Sequence, residues 1–296
     1  MSTTVAAAPL AEILPPVIRR GRVRTFLRRH PTAALGGVLI AAMVGIAIFA
    51  PWLGTVDPTA IDPIHRLADP SARHWFGSDM LGRDIYSRTI YGARISLLVG
   101  FSVAFFASAA GTLVGVISGF VRLADSILMR IMDGLMSIPP ILLAIALMAL
   151  TRASVQNVIF AISVAQFPAI SRLVRGIVLS LREQPFVEAA IASGTRLPQL
   201  IWRHILPNTM AALLVQATFT CASAMITEAI LSFIGAGTPP IIPSWGNIMA
   251  EGRALWEIKP YIVFFPAAFL SVTVLAVNLL GDGLRDALDP RLAKRL

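Results

Sequence analysis

Six stretches without a charged side chain, each close to membrane length or longer, leave this chain few ways to fold. They cover residues 31–56, 95–121, 134–151, 153–171, 204–227 and 260–281. A helix rises 1.5 Å per residue, so about 18–20 residues cross a hydrocarbon core ~30 Å thick. Lipid offers no hydrogen bonds, so a single crossing segment must satisfy its own backbone and becomes helical. The expectation is an all-α integral membrane protein of six transmembrane helices with both ends on one side. Pro139-Pro140 near the start of the third run implies a kink or a late entry there. The fifth run can continue past Glu228 to Phe233.

Composition agrees, with 56% hydrophobic and 14% charged residues among 296. A net charge of +9 would suit nucleic acid. The basic residues, however, gather at the ends of apolar runs, as topology and anionic lipid place them, so the bilayer is the expected partner. With the N-terminus inside, seventeen of the 25 Lys and Arg fall on inner segments: six in the tail, Arg122 and Arg130, five between 172 and 203, and four from Arg285 onward. Both termini are therefore expected in the cytoplasm. The chain divides into a basic cytoplasmic tail (1–31), a first span (32–53), an outer segment (54–94) and a five-helix core (95–296) carrying an inner loop at 182–208. The tail's Arg19, Arg20, Arg22, Arg24, Arg28 and Arg29 suit the inner leaflet. No small-residue cleavage site follows them, which fits a retained anchor better than a signal peptide.

Catalytic signatures are missing. The two lysines, Lys259 and Lys294, follow Ile258 and Ala293, so neither builds a phosphate-cradling P-loop. The four histidines have no metal-ligand spacing, and His74 reads as a capping or interfacial residue. Cys221, alone in an apolar run, reads as a small buried hydrophobe. No serine stands in a Gly-x-Ser-x-Gly turn. The chain is expected to be no enzyme and to hold no cofactor or metal. Glu228 is the one ionisable residue in the predicted spans. It would serve a proton-coupled secondary carrier, or a structural hydrogen bond near a helix end, and its closeness to Gly235 favours the second. Gly111 and Gly115, spaced as small-xxx-small, call for close helix packing within the bundle.

The 182–208 loop is too polar to cross lipid and too patterned to be slack. Glu188-Ala189-Ala190 opens a short helix that Gly194, free to take positive φ, would stop. Thr195 would cap a second piece with Pro198 in its first turn, Pro207 would close it, and Asn208 would cap the next helix. Val187, Ile191, Leu200, Ile201 and Ile205 give the pieces an apolar side. Such a helix-turn-helix suits either a groove on another protein or lipid head groups.

The spelling decides between them. Glu188-Ala189-Ala190, three residues, Gly194, nine residues and then His204-Ile205-Leu206-Pro207 resembles the EAA motif of permease subunits in bacterial binding-protein-dependent ABC importers. His204 departs from it, standing where an apolar residue is usual. Residues 75–88, from Trp75 through Gly82-Arg83-Asp84 to Arg88, then 91–97, look like the segment ahead of the second span in dipeptide and oligopeptide permeases. So do Thr227–Gly235, the 235–247 loop with Pro239 and Trp245, and the ending at 278–291. The resemblance implies a type I ABC importer permease fold and import of dipeptides or oligopeptides, with nickel or glutathione as alternatives. It implies ATPase coupling through Glu188, Ala189, Ala190, Gly194, Leu197, His204, Leu206 and Pro207. It places Trp75, Gly82, Arg83, Asp84, Pro239 and Trp245 on the outer face, toward an extracytoplasmic peptide-binding protein. A homologous permease subunit and one or two ATPase subunits, which would bind the ATP and magnesium, complete the implied assembly. Read from the residues alone, 54–94 is a compact solvated cap whose alternating charges pair, Asp84 with Arg88 among them, and the proline-rich 235–247 stretch is a non-helical outer loop.

Overall fold

The computed structural model describes residues 30–288; the arginines at 19–29 and the 289–296 ending lie outside them. Ten helices account for the bundle: α1 Pro31–Phe49, α2 Ile85–Phe120, α3 Arg122–Met136, α4 Pro140–Ala149, α5 Val155–Arg182, α6 Pro185–Ala192, α7 Leu197–Leu200, α8 Leu206–Phe233, α9 Trp245–Gly252 and α10 Tyr261–Leu288. No strand occurs among the described residues; Ser78 and Asp84 form an isolated antiparallel bridge. Five segments are long and apolar enough to cross a bilayer, or six if α3 and α4, meeting at 89°, count together as one broken span. We call the end where α1 begins and α10 finishes the terminal end, and the other the distal end.

The helices run past the charge-free windows because their charges are answered. The second span begins at Ile85, ten residues before its uncharged stretch at 95–121, with Asp84 as its N-cap. Arg94 aims its guanidinium at the carbonyls of Ala47 and Ile48, 2.5 and 3.1 Å away, satisfying acceptors that the end of α1 leaves open. Arg172 and Arg175 let α5 continue to Arg182 by pairing with Asp133 and Asp125 of α3. The third run divides at Pro139: α3 is amphipathic, and α4, at ten residues, is about 15 Å long, half a hydrocarbon core.

Close packing sits where the small residues are. A Cβ on Gly111 would come within 2.7 Å of Ile170, and one on Gly115 within 2.7 Å of the Ser171 carbonyl and Val174. The partner of this stripe is α5 of the same chain. Two cores flank that contact. Val99, Val103, Ala144, Val158, Ile162 and Leu231 fill the distal half, and Val116, Ile170, Val174 and Val178 the terminal half.

Candidate functional site

At the terminal end the 182–208 segment folds back on the bundle. Pro185 begins α6, where its missing N–H costs nothing, and Glu188 stands in the positively polarised first turn. The helix ends at Gly194, φ +79°. The Gly194 N–H donates to the Ile191 carbonyl (2.9 Å) and the Thr195 N–H to that of Ala190 (3.1 Å). This is the six-to-one and five-to-two pattern that a left-handed residue permits. Thr195 thus belongs to the stop of α6; Arg196 is the N-cap of α7, with no side-chain cap bond.

Pro207 does not close the segment either. A π-helical turn, Ile201–Ile205, joins α7 to α8, and the Leu206 N–H reaches the Ile201 carbonyl five residues back. The wider turn absorbs a proline that lacks an N–H and would crowd a normal turn. Asn208 lies inside α8 and donates to the His204 carbonyl instead of capping.

Val187, Leu200 and Ile205 are buried in the terminal-half core and pin the segment to α2 and α5. Of the residues predicted for coupling, Glu188, Ala189, Gly194, Leu197 and Pro207 are exposed, while Ala190, His204 and Leu206 are half-buried. Ile191, expected on the inner side, is 55% exposed, because it follows Val187 by four residues but sits on the turn that Gly194 lifts away. Phe186, Ile191, Leu197 and Trp202 make an exposed apolar rim around the alanines. Trp202 escaped the sequence reading, although a large aromatic beside Arg203 within a docking motif was the available signal.

The distal end corrects the picture of a solvated cap. Gly82, Arg83, Asp84 and Arg88 are buried. Asp84 does not pair with Arg88: its Oδ2 accepts the Ser87 N–H and hydroxyl at 2.7 and 2.6 Å, and its Oδ1 faces His74 Nδ1 at 3.2 Å. Arg83 donates to Asp79 Oδ2 (2.7 Å) and to Glu251 of α9, and Arg88 donates to Glu251 Oε1 at 3.1 Å. Gly82 takes φ +78° so tightly that a Cβ would fall 1.8 Å from the Asp62 carbonyl. Burial pushes the Glu251 carboxyl above the usual carboxylate range, while Arg88 and Arg83 pull it down. The folded cap therefore holds a proton there more readily than the unfolded chain, and this group's contribution to stability falls as pH rises through that window.

Trp245 is wholly buried, its indole N–H donating to the Thr89 carbonyl at 3.0 Å, so it packs and offers nothing to a partner. The stretch expected to be non-helical turns into α9 at that residue. Ser244 caps it, and the Asn247 amide holds the preceding turn by the Thr238, Pro239 and Ile242 carbonyls. Trp75, 57% exposed and 4.7 Å from the Tyr86 ring, and the half-exposed Pro239 are the two predicted outer residues left at the surface. Glu228 is fully buried near the end of α8, and its Oε1 accepts hydroxyls from Ser232 and Ser244 at 2.9 Å each.

A bundle of membrane-length helices, exposing a tethered helix-turn-helix at one end and braced by buried ion pairs at the other, has the build of a multi-pass transport permease. Residues 111–294 match the model of the binding-protein-dependent transport system inner membrane component, and residues 21–70 that of the N-terminal TM domain of oligopeptide transport permease C. A probable peptide ABC transporter permease of Sinorhizobium fredii is 53% identical over 95% of this chain and 96% of its own. A dipeptide transport system permease, DppC, of Alkalihalophilus pseudofirmus is 42% identical over 90% and 88%. A glutathione transport system permease, GsiD, of Escherichia coli is 41% identical over 94% of both. The MetNI methionine ABC transporter, solved in inward-facing conformations, superposes with TM-score 0.56 over 69% of this chain and 98% of its own at 23% identity, a likeness of fold. The chain belongs to the inner-membrane permeases of binding-protein-dependent ABC importers.

Proposed function

We infer that this chain is the permease subunit of an ATP-driven importer of dipeptides or oligopeptides, working beside a homologous permease in the bacterial cytoplasmic membrane. Peptide names among its relatives support the substrate class, and glutathione, itself a tripeptide, stays within it. The Lys and Arg bias puts the terminal end in the cytoplasm. ATP and magnesium are bound and used by separate ATPase subunits, and an extracytoplasmic binding protein delivers peptide at the distal end. No cofactor is needed in this chain.

The observation that carries the reading is the exposed alanine side of α6, rimmed by Phe186, Ile191, Leu197 and Trp202 and fixed in place by Val187, Leu200 and Ile205. It fits a helix-in-groove contact with an ATPase subunit. Closure of the ATPase pair shifts the spans only if this surface fits one arrangement better than the other. The carrier reading of Glu228 has no comparable support, since its Oε1 already holds both serine hydroxyls and the residue is fully buried.

Gly194 tests the docking. Its Cβ position is open within the chain, so a side chain meets no wall of this subunit. Left-handed φ nevertheless costs an L-residue about 1–2 kcal/mol, and a valine would stand on the docking side. Gly194→Val should leave membrane insertion intact, reduce co-purifying ATPase and abolish peptide uptake, measured together on a complex tagged at this subunit. Wild-type values of both would remove the docking role.

A further inference from the structure

Where α2 ends and α3 begins, Ser118, Gly119, Arg122, Asp125, Leu179, Arg182 and Glu183 enclose a polar cavity of about 350 Å³. We propose that this corner binds a phosphate group, supplied by the headgroup of an anionic lipid such as phosphatidylglycerol or by a soluble phosphate.

Four observations converge there. The fifteen-residue α3 starts at Arg122, and Val121 at its N-cap gives no side-chain cap, so its first N–H groups have no helix partner and carry the positive end of the dipole. Ser118, 3% exposed, lines the cavity, and its hydroxyl has no hydrogen-bond partner among the described residues. Arg182 is held over the Phe120 ring and donates to the Gly119 carbonyl at 2.6 Å, so its charge is positioned without being neutralised. The Arg122 guanidinium makes no ion pair among the described residues.

The acids do not cancel this charge. Asp125 is occupied by Arg175, at 2.5 and 2.6 Å, and Glu183 lies on the exposed rim. Arg122, Arg175 and Arg182 against Asp125 and Glu183 leave one positive charge. Exposed Val121 and Leu123 stand beside the cavity, where acyl chains would lie if the phosphate belongs to a lipid. Basic pockets between spans on the cytoplasmic side are the usual place for anionic headgroups. The leaflet assignment rests on the orientation proposed above; the phosphate chemistry does not.

The test uses the complete importer in nanodiscs of equal phosphatidylglycerol and phosphatidylcholine, with retained lipids counted by native mass spectrometry. Arg122→Gln removes a side chain that bonds to nothing among the described residues, and Ser118→Ala removes one hydroxyl, so both should assemble. Preferential retention of phosphatidylglycerol that falls about fivefold in Arg122→Gln, and also falls in Ser118→Ala, supports the lipid source. In nanodiscs of phosphatidylcholine alone, phosphorus-31 line broadening of inorganic phosphate that Arg122→Gln abolishes supports the soluble source. Wild type and both variants behaving alike in both arms overturns the site. Glu183→Cys in a Cys221→Ala background, labelled in intact cells by a membrane-impermeant maleimide, checks orientation separately. Labelling from outside would refute the cytoplasmic placement while leaving the phosphate result standing.

Discussion

Asp84 shows how far one side chain's meaning depends on its surroundings. In the sequence, Asp84 and Arg88 are four apart and read as an exposed helix-side pair worth at most ~1 kcal/mol. In the fold, Asp84 caps α2 and holds Ser87 and His74, while Arg88 turns to Glu251, 163 residues away. Losing an N-cap costs about 0.5–2 kcal/mol, and here the loss also strips the buried Ser87 hydroxyl of its acceptor. Asp84→Ala should lower the melting temperature of the purified importer by about 2–8 °C, followed by tryptophan fluorescence; an unchanged transition would restore the solvated picture. No local rule could supply the Glu251 contact, because the partner is set by tertiary approach. Gly194 was legible for the opposite reason: a left-handed stop at the end of a short helix is a property of four or five neighbouring residues.

At the scale of elements, the windows that predicted the spans stopped at each charge, whereas the helices stop at caps and prolines. Hydropathy counts what lipid rejects; it does not count Asp125, Asp133 or the Ala47 carbonyl, which render Arg175, Arg172 and Arg94 acceptable. Pro139-Pro140 did mark the break between α3 and α4, but their 89° angle has no sequence signature. The glycine stripe of α2 was readable as close packing, and its partner α5 was not. Gly115→Ala should reduce the yield of folded importer, because its Cβ meets the Ser171 carbonyl and Val174 at 2.7 Å, an overpacking that costs about 1–3 kcal/mol. Gly134→Ala, with open space at the same atom in α3, should be neutral or stabilising. Equal yields for the two, by fluorescence size-exclusion chromatography, would disprove the contact.

At the scale of the molecule, the proposed function places the energy for transport outside the chain. A proton-driven carrier needs an ionisable group that water reaches in turn from each side, and Glu228 is enclosed between Ser232 and Ser244 at the join of α8 and α9. Glutamine keeps an oxygen for both hydroxyls. Glu228→Gln should therefore leave peptide uptake by reconstituted importer near wild type, and uptake should ignore an imposed proton gradient. Loss of uptake, together with a wild type that responds to the gradient without ATP, would move the energy source into this chain.

The ion pairs that brace the distal end also set a timetable. Arg88 is synthesised 163 residues before Glu251, an interval of about 8–33 s at ribosomal speeds of ~5–20 residues per second. Until that carboxylate arrives, an arginine fated for complete burial has Asp79, 3.7 Å away in the finished cap, as its one acidic neighbour. Burying it early would strand a charge, so the first half of the cap must stay open and hydrated while α3 to α8 are made. A chain cut short before α9 would keep α1, α2, α5 and α8, lose α10, and never close its cap.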